Sequence, residues 1–177
     1  MTVVSIRSAE PSDTQAIAAV ILPIQQEEFG IPTTLEAQPD LANIQQFYQH
    51  GSGNFWVAEC DGSIVGTIAL LDIGNRETAL RKMFVAAPFR GREFGVAKRL
   101  LSGLMESAKQ SGVTSIYLGT TAKFLAAQRF YEKNGFAEIP ETELPATFPV
   151  MAVDTKFYRY AFPGLAPEHI SANLDAE

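Results

Sequence analysis

Cysteine is all but missing: Cys60 is the only one in 177 residues. A single cysteine excludes an internal disulfide framework. Its place beside Trp56, Val57 and Ala58 in an apolar run predicts a buried thiol rather than a nucleophile. Histidine is nearly as scarce, with His50 beside a glycine turn and His169 near the end of the sequence. A histidine triad or a His-rich metal site therefore has no material, and no metal is expected. No window approaches the roughly 18 consecutive apolar residues that a membrane span requires. Residues 1–7 lack the basic and apolar regions of a signal peptide, so a cytoplasmic protein without membrane association is the expectation. Nor is positive charge in excess. Fourteen Lys and Arg face 20 Asp and Glu, a net charge of −6, which speaks against a nucleic-acid partner.

What is present is ordinary globular material, 46% hydrophobic and 19% charged, long enough to build a substantial core. Residues 3–7 read as a strand. Ser12-Asp13-Thr14-Gln15 reads as a capping box opening a helix through Ile17, Val20, Ile21 and Ile24, with Pro23 the point at which it would bend. Asp40 is placed to cap a second helix lined by Leu41, Ile44 and Tyr48. Two β-rich runs, 55–60 and 63–71, flank Asp61-Gly62, a strong signal for a two-residue hairpin. Later come a strand over 113–118, a helix over 123–134, a short strand over 136–139 and a last strand within 150–162. The order predicts a mixed α/β domain over 1–162. The tail, 163–177, has no sustained period and is expected to be disordered or docked.

The most informative stretch is residues 80–101. Met83, Phe84 and Val85 form a short apolar strand that Pro88 ends. Beyond Gly95, the residues Ala97, Leu100, Leu101, Leu104, Met105 and Ala108 share one helical face. A strand thus feeds a loop that opens a helix, where unpaired amides and the helix dipole attract anions. Arg90 and Arg92 add charge there. On these residues alone the loop is a phosphate cradle or a solvated turn. Neither G-x-G-x-x-G nor G-x-x-x-x-G-K-[ST] is present.

Arg90-Gly91-Arg92-Glu93-Phe94-Gly95 resembles the coenzyme A pyrophosphate loop of the GNAT superfamily of N-acetyltransferases, usually R/Q-x-x-G-x-G/A. Glu93 replaces the first glycine, and Arg92-Glu93-Phe94-Gly95-Val96-Ala97 fits two residues later. About 35 residues on, Ala126-Ala127-Gln128-Arg129-Phe130-Tyr131-Glu132-Lys133-Asn134-Gly135-Phe136 is similar to the A-x-x-F-Y-E-K-x-G-F signature of the same superfamily. With Ile6-Arg7 preceding a helix start that bears Asp13, the resemblance covers residues 3–162.

The resemblance implies a mostly antiparallel, twisted central sheet flanked by helices, with one splayed parallel pair of strands. It implies acetyl-CoA as acyl donor: the pantetheine arm on the backbone of Met83, Phe84 and Val85, the pyrophosphate on Arg90, Gly91, Arg92, Glu93, Phe94, Gly95, Val96 and Ala97, and Ala127 and Phe130 alongside. It implies direct attack by a primary amine of a small molecule or peptide on the thioester, an oxyanion held by an N–H near Phe84 or Val85, and Tyr131 as the acid that protonates the leaving thiolate. The glutamate that often serves as base is replaced by Ala79. Glu77, two residues earlier on the same strand face, is the substitute candidate, against a solvated place in the turn at 74–77. The asparagine common at the start of the signature helix is replaced by Phe124. Acceptor contacts are expected among Gln26, Glu27, Glu28, Phe29, Phe148, Asp154 and Tyr158. An acyl-CoA-binding sensor of the same fold, an enzyme for longer acyl chains or hydroxyl acceptors, and a homodimer through the last strands remain as alternatives.

Overall fold

A computed structural model describes residues 3–91, 93–122 and 124–163. Expectations for Arg92, Lys123, His169 and the tail beyond Pro163 lie outside the described residues. The strands are β1 Val4–Ser8, β2 Asn54–Cys60, β3 Ser63–Gly74, β4 Glu77–Val85, β5 Ser115–Thr120, β6 Ala137–Ile139 and β7 Lys156–Ala161. The helices are α1 Thr14–Pro23, α2 Pro39–Ala42, α3 Ile44–Tyr48, α4 Val96–Gln110 and α5 Leu125–Lys133. Hydrogen bonding orders the sheet β1-β2-β3-β4-β5-β7-β6. It is the expected mixed α/β arrangement, mostly antiparallel with one parallel pair. That pair is β4 with β5, and its ladder is Glu77 with Ser115, Thr78 with Ile116 and Ala79 with Tyr117. No helix among the described residues is long and apolar enough to cross a membrane.

The chain divides into two compact units, one within Met1–Asp72 and Leu80–Ser111, the other within Ile73–Ala79 and Gly112–Glu177. In the first, β2 and β3 meet at Asp61-Gly62, whose φ values of 51° and 81° are the positive pair that a tight hairpin turn demands. One face of these strands carries Phe55, Val57 and Ala69 against Ile17, Ile21, Leu41, Ile44 and Tyr48. The other face takes α4. Gly66 makes that approach possible, since a Cβ there would lie 2.9 Å from Val96 and 3.1 Å from Leu100. The buried stripe of α4 is Val96, Leu100, Leu101, Leu104 and Ala108. It is rotated slightly from the expected one, with Val96 in the place of Ala97 and Met105 only half-buried.

Two local expectations are corrected. The capping box begins at Glu10 rather than Ser12. A 3-10 turn at Pro11–Asp13 precedes α1, and Asp13 accepts from the Glu10 N–H at 2.7 Å. The first helical run changes character at Pro23, where a bend was expected. Proline supplies no amide to the ladder, and the chain goes on as a π-turn, Ile24–Glu28, in which the Phe29 N–H reaches the Ile24 carbonyl at 3.0 Å. Asp40 caps nothing. It lies in the first turn of α2 behind Pro39, buried, and the expected second helix breaks at Asn43 into α2 and α3.

In the second unit, β5 lies between the start of β4 and β7, pairing with β7 from Ser115 with Ala161 to Thr120 with Lys156. Beneath one face α5 packs Tyr131 against Phe130, Phe136 and Tyr158. On the opposite face Phe148 stands edge-on to Tyr117 and Phe157. The observed boundaries of β5, α5 and β7 fall within a few residues of those expected, and Cys60 is buried as expected.

The tie between β1 and the helix start is testable. Arg7 bonds both oxygens of Asp13, at 2.7 and 2.9 Å, and also Glu59 at 2.6 Å. The Arg7 hydrogen bonds hold the Asp13 carboxyl below its usual range. A depressed carboxyl contributes stability above its unfolded pKa and loses it as pH falls through the folded one. Asp13→Asn is expected to cost about 1–3 kcal/mol at pH 7. It should also flatten the loss of stability below about pH 4, as read by urea unfolding across pH.

Candidate functional site

The first unit holds the cradle. From Ala86 the chain passes through a 3-10 turn, Ala87–Phe89, and reaches α4 by way of Gly91 at φ 105° and Gly95 at φ 60°. Both glycines adopt the left-handed region that they tolerate best. Nothing lies within 4 Å of where a Cβ would be at either, so the loop offers its backbone to a ligand. The first amides of α4, a helix of 15 residues, have no partners in the helix. Phe89 and Phe94 brace the loop edge-to-face at 5.4 Å. These features fit a pyrophosphate.

Arg90, expected on that anion, is engaged elsewhere in this structure. It forks onto Glu28 at 2.7 and 3.0 Å, and its Nε donates to the Val85 carbonyl at 2.8 Å. Glu28 ends the π-turn, and Arg90 lowers its pKa. Met83, Phe84 and Val85 are all half-buried on β4. Just before them Lys82 has φ 54°, left-handed within a strand. A residue with a Cβ is strained there.

The surroundings of Lys82 were not expected from the sequence. Its Nζ donates to Gln38 at 2.6 Å and lies 3.5 Å from Asp40. Tyr48 donates to Asp40 at 2.6 Å, and Gln25 and Gln38 exchange two bonds. The Thr67 hydroxyl holds the Lys82 carbonyl at 2.7 Å. Desolvation lowers the Lys82 pKa, with Asp40 opposing it. The signal available was a charged residue inside an apolar strand.

The second unit holds the two expected reacting groups. Tyr131, on α5, is 6% exposed, and burial pushes its phenol well above the ordinary range. Ala127 and Phe130 are half-buried on the same helix. Glu77 is the first residue of β4 rather than part of the turn, and it accepts from the Tyr117 hydroxyl at 3.0 Å. Ala79 is fully buried. Of the residues expected at the acceptor, Asp154 packs on β5 where a Cβ on Gly119 would meet it at 2.5 Å. Tyr158 is fully buried and donates to Glu132 at 2.8 Å, on the face of α5 and not that of Phe148. Gln26 donates to the Thr33 carbonyl, and Phe29 lies 6.3 Å from Phe84. No cluster of three or more potential metal-binding side chains occurs among the described residues.

Residues 19–136 match the model of the Acetyltransferase (GNAT) family. A GNAT-family acetyltransferase of Staphylococcus aureus Mu50 superposes with a TM-score of 0.85 at 39% identity, over 90% of this chain and 99% of that one. The PaiA N-acetyltransferase of Thermoplasma acidophilum, solved with coenzyme A, shares the fold, with a TM-score of 0.69 at 16% identity over 90% and 99% of the two chains. N-acetylaspartate synthetase of Danio rerio is 39% identical over 106 residues, which is 59% of this chain and 37% of that protein. The chain thus spans little more than a third of that relative. The match over most of its length and the shared fold place the chain in the GNAT family of acetyltransferases.

Proposed function

We propose that the chain is an acetyl-CoA-dependent N-acetyltransferase that acetylates a primary amine by direct attack, with Tyr131 as general acid and Glu77 as base. One observation carries the reading. Three buried tyrosines, Tyr48, Tyr117 and Tyr158, each donate a hydrogen bond to a carboxylate, those of Asp40, Glu77 and Glu132. Tyr131 is equally buried, yet no group among the described residues bonds its hydroxyl. The ring is packed in the core, yet the hydroxyl is not among the buried polar atoms left without a partner, so its oxygen is open to a ligand. A leaving thiolate is such a ligand.

Acetyl-CoA supplies the thioester carbonyl, and the remaining chemistry belongs to the chain. The pyrophosphate is bound by the amides of the Gly91–Gly95 loop and the start of α4, with Arg90 exchanging Glu28 for the ligand. An amide of β4 near Phe84 or Val85 donates to the oxyanion. Tyr131, its pKa raised by burial, keeps its proton at neutral pH until the sulfur needs one. An amine acceptor arrives protonated, and Glu77 takes that proton directly or through water. The similarity to N-acetylaspartate synthetase of Danio rerio supports a small-molecule acceptor.

The test is coenzyme A release from acetyl-CoA over a panel of amines. Tyr131→Phe is expected to lower kcat by about 100-fold with the dissociation constant of coenzyme A unchanged. Binding without release from any acceptor would favour the acyl-CoA sensor instead. Arg90→Ala is expected to weaken coenzyme A about tenfold by calorimetry, the loss of one charged contact.

A further inference from the structure

On the Phe148 face of the second unit, three adjacent strands bring together a carboxylate, a phenol, a hydroxyl and a guanidinium that the chemistry above does not fully use. Glu77 on β4 is in register with Ser115 on β5, and Tyr117 on β5 is in register with Arg159 on β7. Residues two apart on a strand share a face. Tyr117 donates to Glu77 at 3.0 Å. The Arg159 guanidinium lies 5.8 Å from the centre of the Tyr117 ring, and its Nε and Nη2 both donate to the Ser115 hydroxyl, at 3.2 and 3.0 Å.

Two features make this arrangement more than a solvated strand surface. Ser115 and Tyr117 are buried, at 2% and 5% exposure, so each charged head group is held on one side by an ordered hydroxyl. Neither Glu77 nor Arg159 takes part in an ion pair among the described residues. Opposite charges two strands apart, with a tyrosine between them, are left unneutralised. With strands about 4.8 Å apart and two residues of offset, their Cα atoms are roughly 12 Å apart. The reach of both side chains shortens the gap between the charges to the scale of a small zwitterion.

We propose that Glu77 and Arg159, held by Tyr117 and Ser115, form a clamp for an acceptor bearing both an amine and a carboxylate. Glu77 receives the ammonium end and Arg159 the carboxylate, so the acceptor is an amino acid of low molecular weight rather than a polyamine or an aminoglycoside. A serine hydroxyl takes up part of the guanidinium and leaves its other N–H groups for a carboxylate. The clamp rests on the proposed acetyl transfer and adds the acceptor's class to it.

The experiment uses acceptors matched except for the carboxylate: L-aspartate against its diamide, and β-alanine against β-alaninamide, with putrescine as a third amine. Thiol release should favour each carboxylate over its amide by about tenfold or more in kcat/KM. Arg159→Gln should raise KM for the carboxylates by about tenfold while kcat changes far less, and Arg159→Lys should recover part of the loss. An unchanged coenzyme A dissociation constant in both variants marks them as folded. Amides that turn over as well as the acids, or a KM indifferent to Arg159, would overturn the clamp. If no acceptor releases thiol, acetyl transfer is what fails. Calorimetry with L-aspartate and β-alanine on the coenzyme A complex then decides the clamp: binding lost in Arg159→Gln sustains it, and no binding overturns it.

Discussion

Much of the first unit turns on one strained residue. Lys82 takes a left-handed conformation in the middle of β4, where a residue with a side chain pays of the order of 1–3 kcal/mol. It is held by Thr67 on its carbonyl and by a buried set of polar partners on its ammonium. Gln25 comes from the π-turn, Gln38 and Asp40 from the approach to α2 and its first turn, and Tyr48 from α3. Segments that share no regular ladder are therefore fixed to the strand through a single side chain. Desolvation works against the charged amine, and the pairing with Asp40 and Gln38 is what makes its burial tolerable. The conformation at Lys82 immediately precedes Met83, Phe84 and Val85, whose direction along the strand it sets.

The coarse plan was legible because it rests on signals that are local. Asp61-Gly62 is a turn by its own chemistry, Gly95 and Gly112 bracket α4, and the apolar spacing of that helix survives in the structure within one position. The basic glycine loop and the Tyr131 helix were recognisable because each motif sits in one element. What was not legible depends on partners distant in sequence. Nothing near Asp40 distinguishes a helix cap from a buried acceptor for Tyr48 and Lys82. Likewise Glu77 gains Tyr117, 40 residues away, only when β4 pairs with β5. Arg159 and Ser115 carry no motif at all. Their meeting is a matter of register between strands 44 residues apart.

In the proposed mechanism the tyrosine hydroxyls divide into structural groups and one reactive group. Tyr48, Tyr117 and Tyr158 are tied to carboxylates, so their protons are committed and their rings fixed. Tyr131 packs against the rings of Phe130, Phe136 and Tyr158, and no hydrogen bond among the described residues ties its hydroxyl. Position and proton are thereby controlled independently, which is what a general acid requires.

The Arg90–Glu28 fork gives the cradle an internal counter-anion. In the proposed binding mode, a phosphate there replaces one pairing of Arg90 with another rather than adding a new one. Added salt screens both the pairing that is lost and the one that is gained. The affinity of the loop for an anionic ligand should therefore depend on ionic strength less steeply than its count of positive charges implies, because part of the screening cancels.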